Sequence, residues 1–458
     1  MLKKLFAIWR YYGCRGAAAK LWEKCAVDRR RFSPKGKTDI PLFAPCPNLP
    51  ELPLLTDKKP RYIYYLTHCF YPDRQGGTER FVLNMARAQQ ARGHRVKVFT
   101  LGTKDQSAYS SFIGGILYRT FFFQGVEVVE FRYKQTPYGL FYKRLEQDDP
   151  EMQTFAALFL RTDQPDVVHC AYPQPMAPFL AACVEQHVPY VATLTDFNIL
   201  CHYATMVDSQ GHFCSGCERG EKCARLCKTS TVPNLSQRYK NAQRLLQNAA
   251  AVTAPSAFVA AVIHQAFPGI VPRVIPHGIA AEFAVSHTFA GGVHSFAYIG
   301  TLSELKGVHL LIAAFRKLPG EYSLDIYGAG NGAYERQLKA QIGQDHRICL
   351  RGPVPFDRMP QVYDTHDCVV VPSLWYETYN FVVREALAAD CLVVASRIGA
   401  MPEAIEEGEN GFLFAPGNEQ ALLEALRNAT GFQRGMHTPP QPTISWEAEQ
   451  YERIFESL

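Results

Sequence analysis

Short β-branched apolar runs recur along this chain, most of them followed by a stretch with helical spacing, and few folds accept that alternation. One unit shows the pattern in full. Cys368-Val-Val-Val-Pro372 reads as a buried parallel strand that Pro372 ends, and Ser373 to Asn380 form a loop. Phe381, Val382, Glu385, Ala386 and Ala389 then fall at helical spacing, with Asn380 as N-cap. The next strand, Cys391-Leu-Val-Val-Ala-Ser396, follows at once. This is a βαβ unit whose loop lies at the carboxyl end of a strand, where open α/β sheets bind ligands. Its helix N-terminus offers N–H groups and a partial positive charge to an anion. Two carboxylates there, Glu377 and Glu385, suit a ligand that carries hydroxyls as well as phosphates.

The alternation occurs twice. Strands are expected at Arg61–Thr67, Arg95–Thr100, Val126–Phe131, Asp166–His169, Tyr190–Leu194 and Ala251–Ala254, then at Ser295–Ile299, Ser323–Tyr327, Arg347–Leu350, Cys368–Val371 and Leu392–Ala395. The expected fold class is α/β, with two doubly wound Rossmann-like domains facing across a cleft. The boundaries read as a basic amphipathic segment 1–37, a proline-rich linker 38–60, an N-terminal domain 61–274 with a Cys-rich excursion 201–230, a C-terminal domain 275–438, and a final helix 439–458 that crosses back to the N-terminal domain.

With 458 residues, 47% of them hydrophobic and 20% charged, the chain can bury a large core. No apolar run reaches the roughly 18 residues of a membrane helix. Fourteen cysteines in a chain this long read as reduced thiols of a cytosol rather than a secreted disulfide framework. Residues 1–37 hold eleven basic residues against Glu23 and Asp28, a net +9 where the whole chain is +5, so the remainder carries −4. Leu5, Ile8, Trp9 and Tyr12 share one helical face of that segment, and Ala18, Leu21, Trp22 and Cys25 another. Contact with an anionic membrane surface is one reading, and a tail docked on its own domain the other. Nucleic acid is disfavoured, because the basic excess stops at this tail.

Four other features carry chemistry or its imitation. In Tyr298-Ile-Gly300-Thr-Leu-Ser-Glu-Leu-Lys306-Gly307, Gly300 lets the backbone approach a ligand and Lys306 can act as a point charge on phosphate; alone, such a lysine is an ordinary solvated one. Gly328-Ala-Gly330-Asn-Gly332 imitates a dinucleotide fingerprint. Its third glycine comes one residue early, and Arg347-Ile-Cys-Leu350 ends at Arg351 with no acid for a ribose, which argues against a dehydrogenase. Cys214, Cys217, Cys223 and Cys227, with Cys201, His202 and His212 nearby, could hold a structural zinc ion on four thiolates; free thiols or a labile disulfide are the alternative. His169, at a strand end, reads as a buried and satisfied histidine.

Taken together these pieces resemble the retaining glycosyltransferases of family 4, which have the GT-B fold. The resemblance runs from about residue 61 to the end and keeps the family's order. It rests on Gly76-Gly77-x-Glu79, Arg92-Gly-His94-x-Val, Ala254-Pro-Ser256, Val274-Ile-Pro-His277-Gly278, Gly300-x-Leu-x3-Lys306-Gly307 and Glu377-x7-Glu385. It implies that Glu385 binds ribose hydroxyls, that Lys306 pairs with the diphosphate, and that Gly77 lets backbone close over it. Glu377 would contact the donor sugar. Gly300, Tyr379, Asn380 and Phe381 complete the expected donor site, and Glu377, Lys306 and Asp196 the catalytic set. Thr301 stands where the family usually has Arg, Thr378-Tyr379-Asn380 replaces Gly-Phe-Gly, and Thr195-Asp196 replaces His-Asp.

The resemblance implies transfer of a sugar from a nucleotide-diphosphate sugar to a glycan or lipid-linked acceptor, as in bacterial surface polysaccharide or lipopolysaccharide assembly. Neither an enzyme nucleophile nor a catalytic metal is implied. The rival readings are a nucleotide-sugar-binding scaffold with little turnover, and another GT-B enzyme such as an epimerase or phosphorylase. The expected location is the cytoplasm, peripheral on the inner face of the cytoplasmic membrane if the basic segment binds lipid. Deleting residues 1–37 then abolishes sedimentation with anionic vesicles at low salt; unchanged sedimentation rules that contact out.

Overall fold

The computed structural model describes residues 40–53, 59–134, 149–227, 234–284, 292–432 and 439–458. The basic segment 1–37 lies outside them. The chain divides into two compact units, residues 41–276 with 444–458, and residues 277–443.

The first unit is built on one sheet. Its elements are β1 (Tyr62–Thr67), α1 (Gly77–Ala91), β2 (Arg95–Leu101), β3 (Ser111–Ile113), β4 (Ile116–Phe123), β5 (Val126–Tyr133), α2 (Pro150–Asp163), β6 (Val167–Cys170), α3 (Ala177–Glu185), β7 (Tyr190–Thr193), α4 (Leu235–Asn248), β8 (Ala251–Ala254), α5 (Ala257–Ala266) and β9 (Arg273–Val274). The strand order is β3-β4-β5-β2-β1-β6-β7-β8-β9. From β5 to β9 every pairing is parallel, with Tyr62 opposite Arg95 and Ile63 opposite Val167. β1 is buried along its whole length, as a central strand covered on both faces must be. Order reverses at β1, with β2 on one side and β6 on the other, so the switch point lies at the carboxyl ends of β1 and β6. The antiparallel β3–β4 pair at the edge is a feature the alternation did not anticipate.

The second unit contains β10 (Ser295–Ile299), α6 (Val308–Arg316), β11 (Ser323–Tyr327), α7 (Gly332–Ile342), β12 (Ile348–Gly352), α8 (Met359–Asp364), β13 (Cys368–Val371), α9 (Phe381–Ala388), β14 (Leu392–Ser396), β15 (Gly411–Phe414) and α10 (Glu419–Thr430). Its strands run β12-β11-β10-β13-β14-β15, all parallel, with Phe296 opposite Cys368. The core packs Leu311, Ile312 and Phe315 of α6 and Leu422 and Leu426 of α10 against Phe296, Leu324 and Val394. Here the order reverses between β10 and β13. The loops after those two strands, 300–307 and 372–380, therefore flank the switch point.

The glycines that imitate a dinucleotide fingerprint serve packing. Gly300 N–H donates to Tyr327 O at 3.0 Å and Leu302 N–H to Ala329 O at 2.9 Å. A Cβ on Gly328 would overlap the Gly300 carbonyl oxygen, and one on Gly330 that of Leu302. These glycines bring two loops of the protein together, so they are spent on backbone rather than on a cofactor.

The last helix, α11 (Ile444–Glu456), belongs to the first unit, where Ala448, Tyr451, Ile454 and Phe455 join a core with Ile63, Tyr65 and Phe81. Gln89 Nε2 donates to Ala448 O at 2.8 Å. The buried Glu452 accepts from Arg92 Nε at 2.6 Å and lies 3.1 Å from His94 Nε2. The Arg92-Gly-His94 turn thus anchors the end of the chain. Glu452→Ala leaves two cationic or polar groups without their acceptor and is expected to cost about 3 kcal/mol, read as a lowered thermal midpoint. A loss below about 0.5 kcal/mol, the size of a surface change, contradicts that anchoring role.

Candidate active site

In the second unit, β13 delivers Pro372 to the switch point and the chain turns through Ser373 to Asn380 before α9 begins. Asn380 takes the left-handed conformation, φ 64°, and its Oδ1 accepts from Val383 N–H at 3.1 Å. A short polar side chain that tolerates this backbone and caps the helix is what the turn requires. The neighbouring loop is held against this one. Leu374 N–H donates to Leu305 O at 2.7 Å, and Gly307, φ 71°, sits where a Cβ would overlap the Pro372 carbonyl oxygen. Lys306, one residue earlier, is therefore fixed beside the loop that carries Glu377.

Glu377 is 7% exposed, and one of its oxygens gathers three donors. Oε1 accepts from Lys306 Nζ at 2.7 Å, Ser373 Oγ at 2.6 Å and Trp375 Nε1 at 2.8 Å. The Lys306 ammonium also lies 4.9 Å from the centre of the Trp375 ring. Burial pulls the Glu377 carboxyl upward, but the charge and hydrogen bond of Lys306, with Ser373 and Trp375, bring it below the ordinary carboxylate range. Its backbone is pinned too: Ala400 N–H donates to Glu377 O at 2.9 Å, close above Gly399.

Glu385 is only 1% exposed and accepts from Tyr363 Oη at 2.7 Å through Oε2. Tyr379 donates to His277 O at 2.5 Å, and Phe381 stacks on the His277 ring at 5.4 Å. Gly300, Lys306, Glu377, Tyr379, Asn380, Phe381 and Glu385 thus fall on two adjoining loops and the first turns of one helix. Ser373, Trp375, Tyr363 and His277 join them. None of these four was among the expected site residues, although Ser373 and Trp375 lie inside the stretch that pointed to the site.

The first unit has its own polar cluster at the carboxyl ends of β1, β6 and β7. Asp196 accepts from Asn198 N–H at 2.8 Å, and burial raises its carboxyl to about 6, against opposing hydrogen bonds and the Arg238 charge. Asn198 Nδ2 donates to Tyr172 Oη at 2.9 Å, and Tyr172 stacks on His68 at 3.8 Å. Thr195, where the resemblance places His, accepts from Thr78 Oγ1 at 2.8 Å and donates to Ala171 O at 2.8 Å. Gly77 opens α1, and Glu79 in its first turn lies 3.7 Å from His68 Nε2. His169 is buried and bonded to Thr193 Oγ1 at 2.7 Å, as a core histidine.

The cysteine excursion is arranged differently from a four-thiolate site. Cys217, Cys223 and Cys227 are buried, Cys214 is half-buried, and none is in a disulfide. Among the described residues no three of their sulfurs come within 4.8 Å of one another. Gly216 N–H donates to Cys214 Sγ at 3.4 Å, and Cys223 is hydrogen-bonded to Cys227, with Cys201 and Cys217 near enough to help raise the Cys223 thiol. The four-thiolate ion read from the spacing has no assembled site here.

With this geometry in view, known proteins can be set beside it. Residues 75–283 match the family described as Glycosyltransferase Family 4, and residues 293–430 that described as Glycosyl transferases group 1. The chain belongs to the family 4, or group 1, glycosyltransferases. It is 33% identical over 128 residues to an uncharacterized glycosyltransferase of Methanocaldococcus jannaschii, covering 27% of this chain and 33% of that protein. A lipopolysaccharide 1,2-N-acetylglucosaminetransferase of Salmonella typhimurium is 28% identical over 208 residues, covering 40% and 54%. The chain thus spans between a third and about half of the length of these curated relatives. In structure it is similar to Anabaena HepE in complex with UDP-glucose, with a TM-score of 0.55 at 19% identity over 86% of this chain and 94% of that one. The fold is GT-B.

Glu377 is held ionised by Lys306, which sets the sign of a pH effect. A depressed carboxyl contributes stability above its unfolded pKa, and that contribution fades as pH falls through the folded value. Lys306→Met leaves a buried carboxylate whose pKa moves up, with an expected cost of about 3 kcal/mol at pH 7. The difference from wild type shrinks only at an acid pH that lies below the depressed wild-type carboxyl, where that group too becomes protonated. Thermal unfolding at the two pH values reads it; an equal loss at both means that charge is not what the lysine supplies.

Proposed function

We propose that this chain is a retaining glycosyltransferase that moves a sugar from a nucleotide-diphosphate sugar to a glycan or lipid-linked glycan. The observation that carries the reading is Glu377 clamped by Lys306 at the switch point of a GT-B donor unit, beside a capped helix N-terminus. The UDP-glucose complex of a structurally similar protein and the lipopolysaccharide relative support the donor class and the acceptor class.

Each part has a task in this reading. The bond from the sugar's anomeric carbon to the diphosphate oxygen breaks, building positive charge on the carbon and negative charge on the phosphate. Lys306 and the N–H groups at the start of α9 stabilise the leaving diphosphate. Glu377 Oε1 is already occupied by three donors, so Oε2 is assigned to the donor sugar's hydroxyls. Glu385, aligned by Tyr363, takes ribose hydroxyls. The acceptor oxygen bonds to the same face of the carbon, and its proton passes to the departing phosphate, so configuration is retained. Asp196, with a carboxyl near 6, is assigned to hold an acceptor hydroxyl in the first unit. Among the described residues no helix is long and apolar enough to cross a membrane, so a lipid-linked acceptor would be met at a surface.

The test is calorimetry and thermal shift with UDP, GDP, ADP, CMP and dTDP sugars on wild type and Glu385→Ala, followed by product analysis. One nucleotide should bind, and the variant should lose tenfold or more. A new glycoside is the expected product. A new nucleotide sugar would mean an epimerase, and binding without any product a scaffold.

A further inference from the structure

We propose that His68, Cys69 and Glu79 form a binding site for a zinc-class divalent ion in the first unit. β1 ends at Thr67, so His68 and Cys69 are the first two residues beyond the strand, at the switch point. Glu79 comes from the first turn of α1. The ligand atoms of the three residues, one nitrogen, one sulfur and one oxygen, all lie within 4.8 Å of one another. Among the described residues they are the only group of three His, Cys, Asp or Glu side chains gathered so closely.

The spacing suits a small tetrahedral ion. Zinc bonds of about 2.0–2.1 Å to nitrogen and oxygen place two such ligands roughly 3.3 Å apart. His68 Nε2 and Glu79 Oε1 are 3.7 Å apart, so this pair needs to close by only a few tenths of an ångström, with the Cys69 sulfur within 4.8 Å of both residues' ligand atoms. The surroundings already orient the ligands. Tyr172 stacks on the imidazole at 3.8 Å and is itself held by Asn198 Nδ2. Glu79 turns Oε2 toward Gly76, whose backbone N–H supports the carboxylate, and so presents Oε1 to His68. Such outer partners fix ligand geometry in metal sites.

The donor set selects the ion. One imidazole, one thiol and one carboxylate suit zinc or its borderline neighbours, and are wrong for magnesium or calcium, which take oxygen. The imidazole binds such an ion through a neutral ring nitrogen. Cys69 is buried and gives up its proton to bind, one proton released for each ion taken. A thiolate and a carboxylate then balance the ion's two charges. The fourth position is left for water or another oxygen.

This site is distinct from the cysteine excursion, and the experiment is built to separate the two. Full-length protein stripped with a chelator is titrated with zinc by calorimetry, and with cobalt as a spectroscopic probe, for wild type, Cys69→Ser, His68→Gln and the double variant Cys223→Ser/Cys227→Ser. Thermal unfolding confirms that each variant is folded. Wild type and the double variant should bind an equivalent that Cys69→Ser and His68→Gln bind at least tenfold more weakly. Its cobalt form should show the charge-transfer band of a single thiolate, lost in Cys69→Ser. If the folded Cys69 and His68 variants keep every equivalent that wild type binds, or wild type binds none, the proposal is overturned.

Discussion

A carboxylate can be taken out of water only if other groups replace the hydrogen bonds it leaves behind. Glu377 meets that demand through one oxygen, with an ammonium, a hydroxyl and an indole N–H all directed at Oε1. Much of the second unit's upper edge follows from this. Lys306 must reach across from the loop after β10, so the two loops must touch, and Gly307 is the residue that lets them. Ser373 must precede the turn, and Asn380 must end it in the left-handed region, where its side chain caps the start of α9. The charge arrangement and the backbone arrangement are one solution to one problem.

Both units use the same device, placing polar side chains where a parallel sheet reverses its strand order. They use it with opposite electrostatics. In the second unit an adjacent cation keeps a buried acid ionised. In the first, burial outweighs the help Asp196 receives from Asn198, Tyr172 and Arg238, and the carboxyl rises instead. One acid is a fixed charge and the other can hold or release a proton near neutral pH.

The fold was legible because buried parallel strands leave an unmistakable trace of consecutive valines and isoleucines, and nearly every such run in this chain became a strand. The edge hairpin left no such trace. The run Leu117-Tyr-Arg-Thr-Phe-Phe-Phe123 neither alternates nor stays apolar, because it pairs on an exposed edge and is only partly covered. Spacing was enough to bring Lys306, Glu377 and Asn380 to neighbouring loops, because each lies within or beside its own loop. His68 and Tyr172 were not, and Asp196 was named only through the family resemblance, because only the adjacency of β1, β6 and β7 unites the three. The cysteines pose the converse case: close spacing suggested a shared centre, and among the described residues no three of those sulfurs lie within 4.8 Å of one another. Sequence proximity is neither necessary nor sufficient for a site.

The closing helix has a consequence for how the protein comes into being. Tyr451 places its hydroxyl 3.1 Å from Thr193 and 3.2 Å from Thr253, inside the first unit's sheet core. A ribosome makes those threonines before the second unit and the tyrosine only after the whole of it. The first unit therefore leaves the ribosome with the groove for α11 still open, and its apolar floor faces water or a chaperone until α11 is made. A message truncated after the second unit yields a chain that holds both sheets, yet lacks the piece that seals the first.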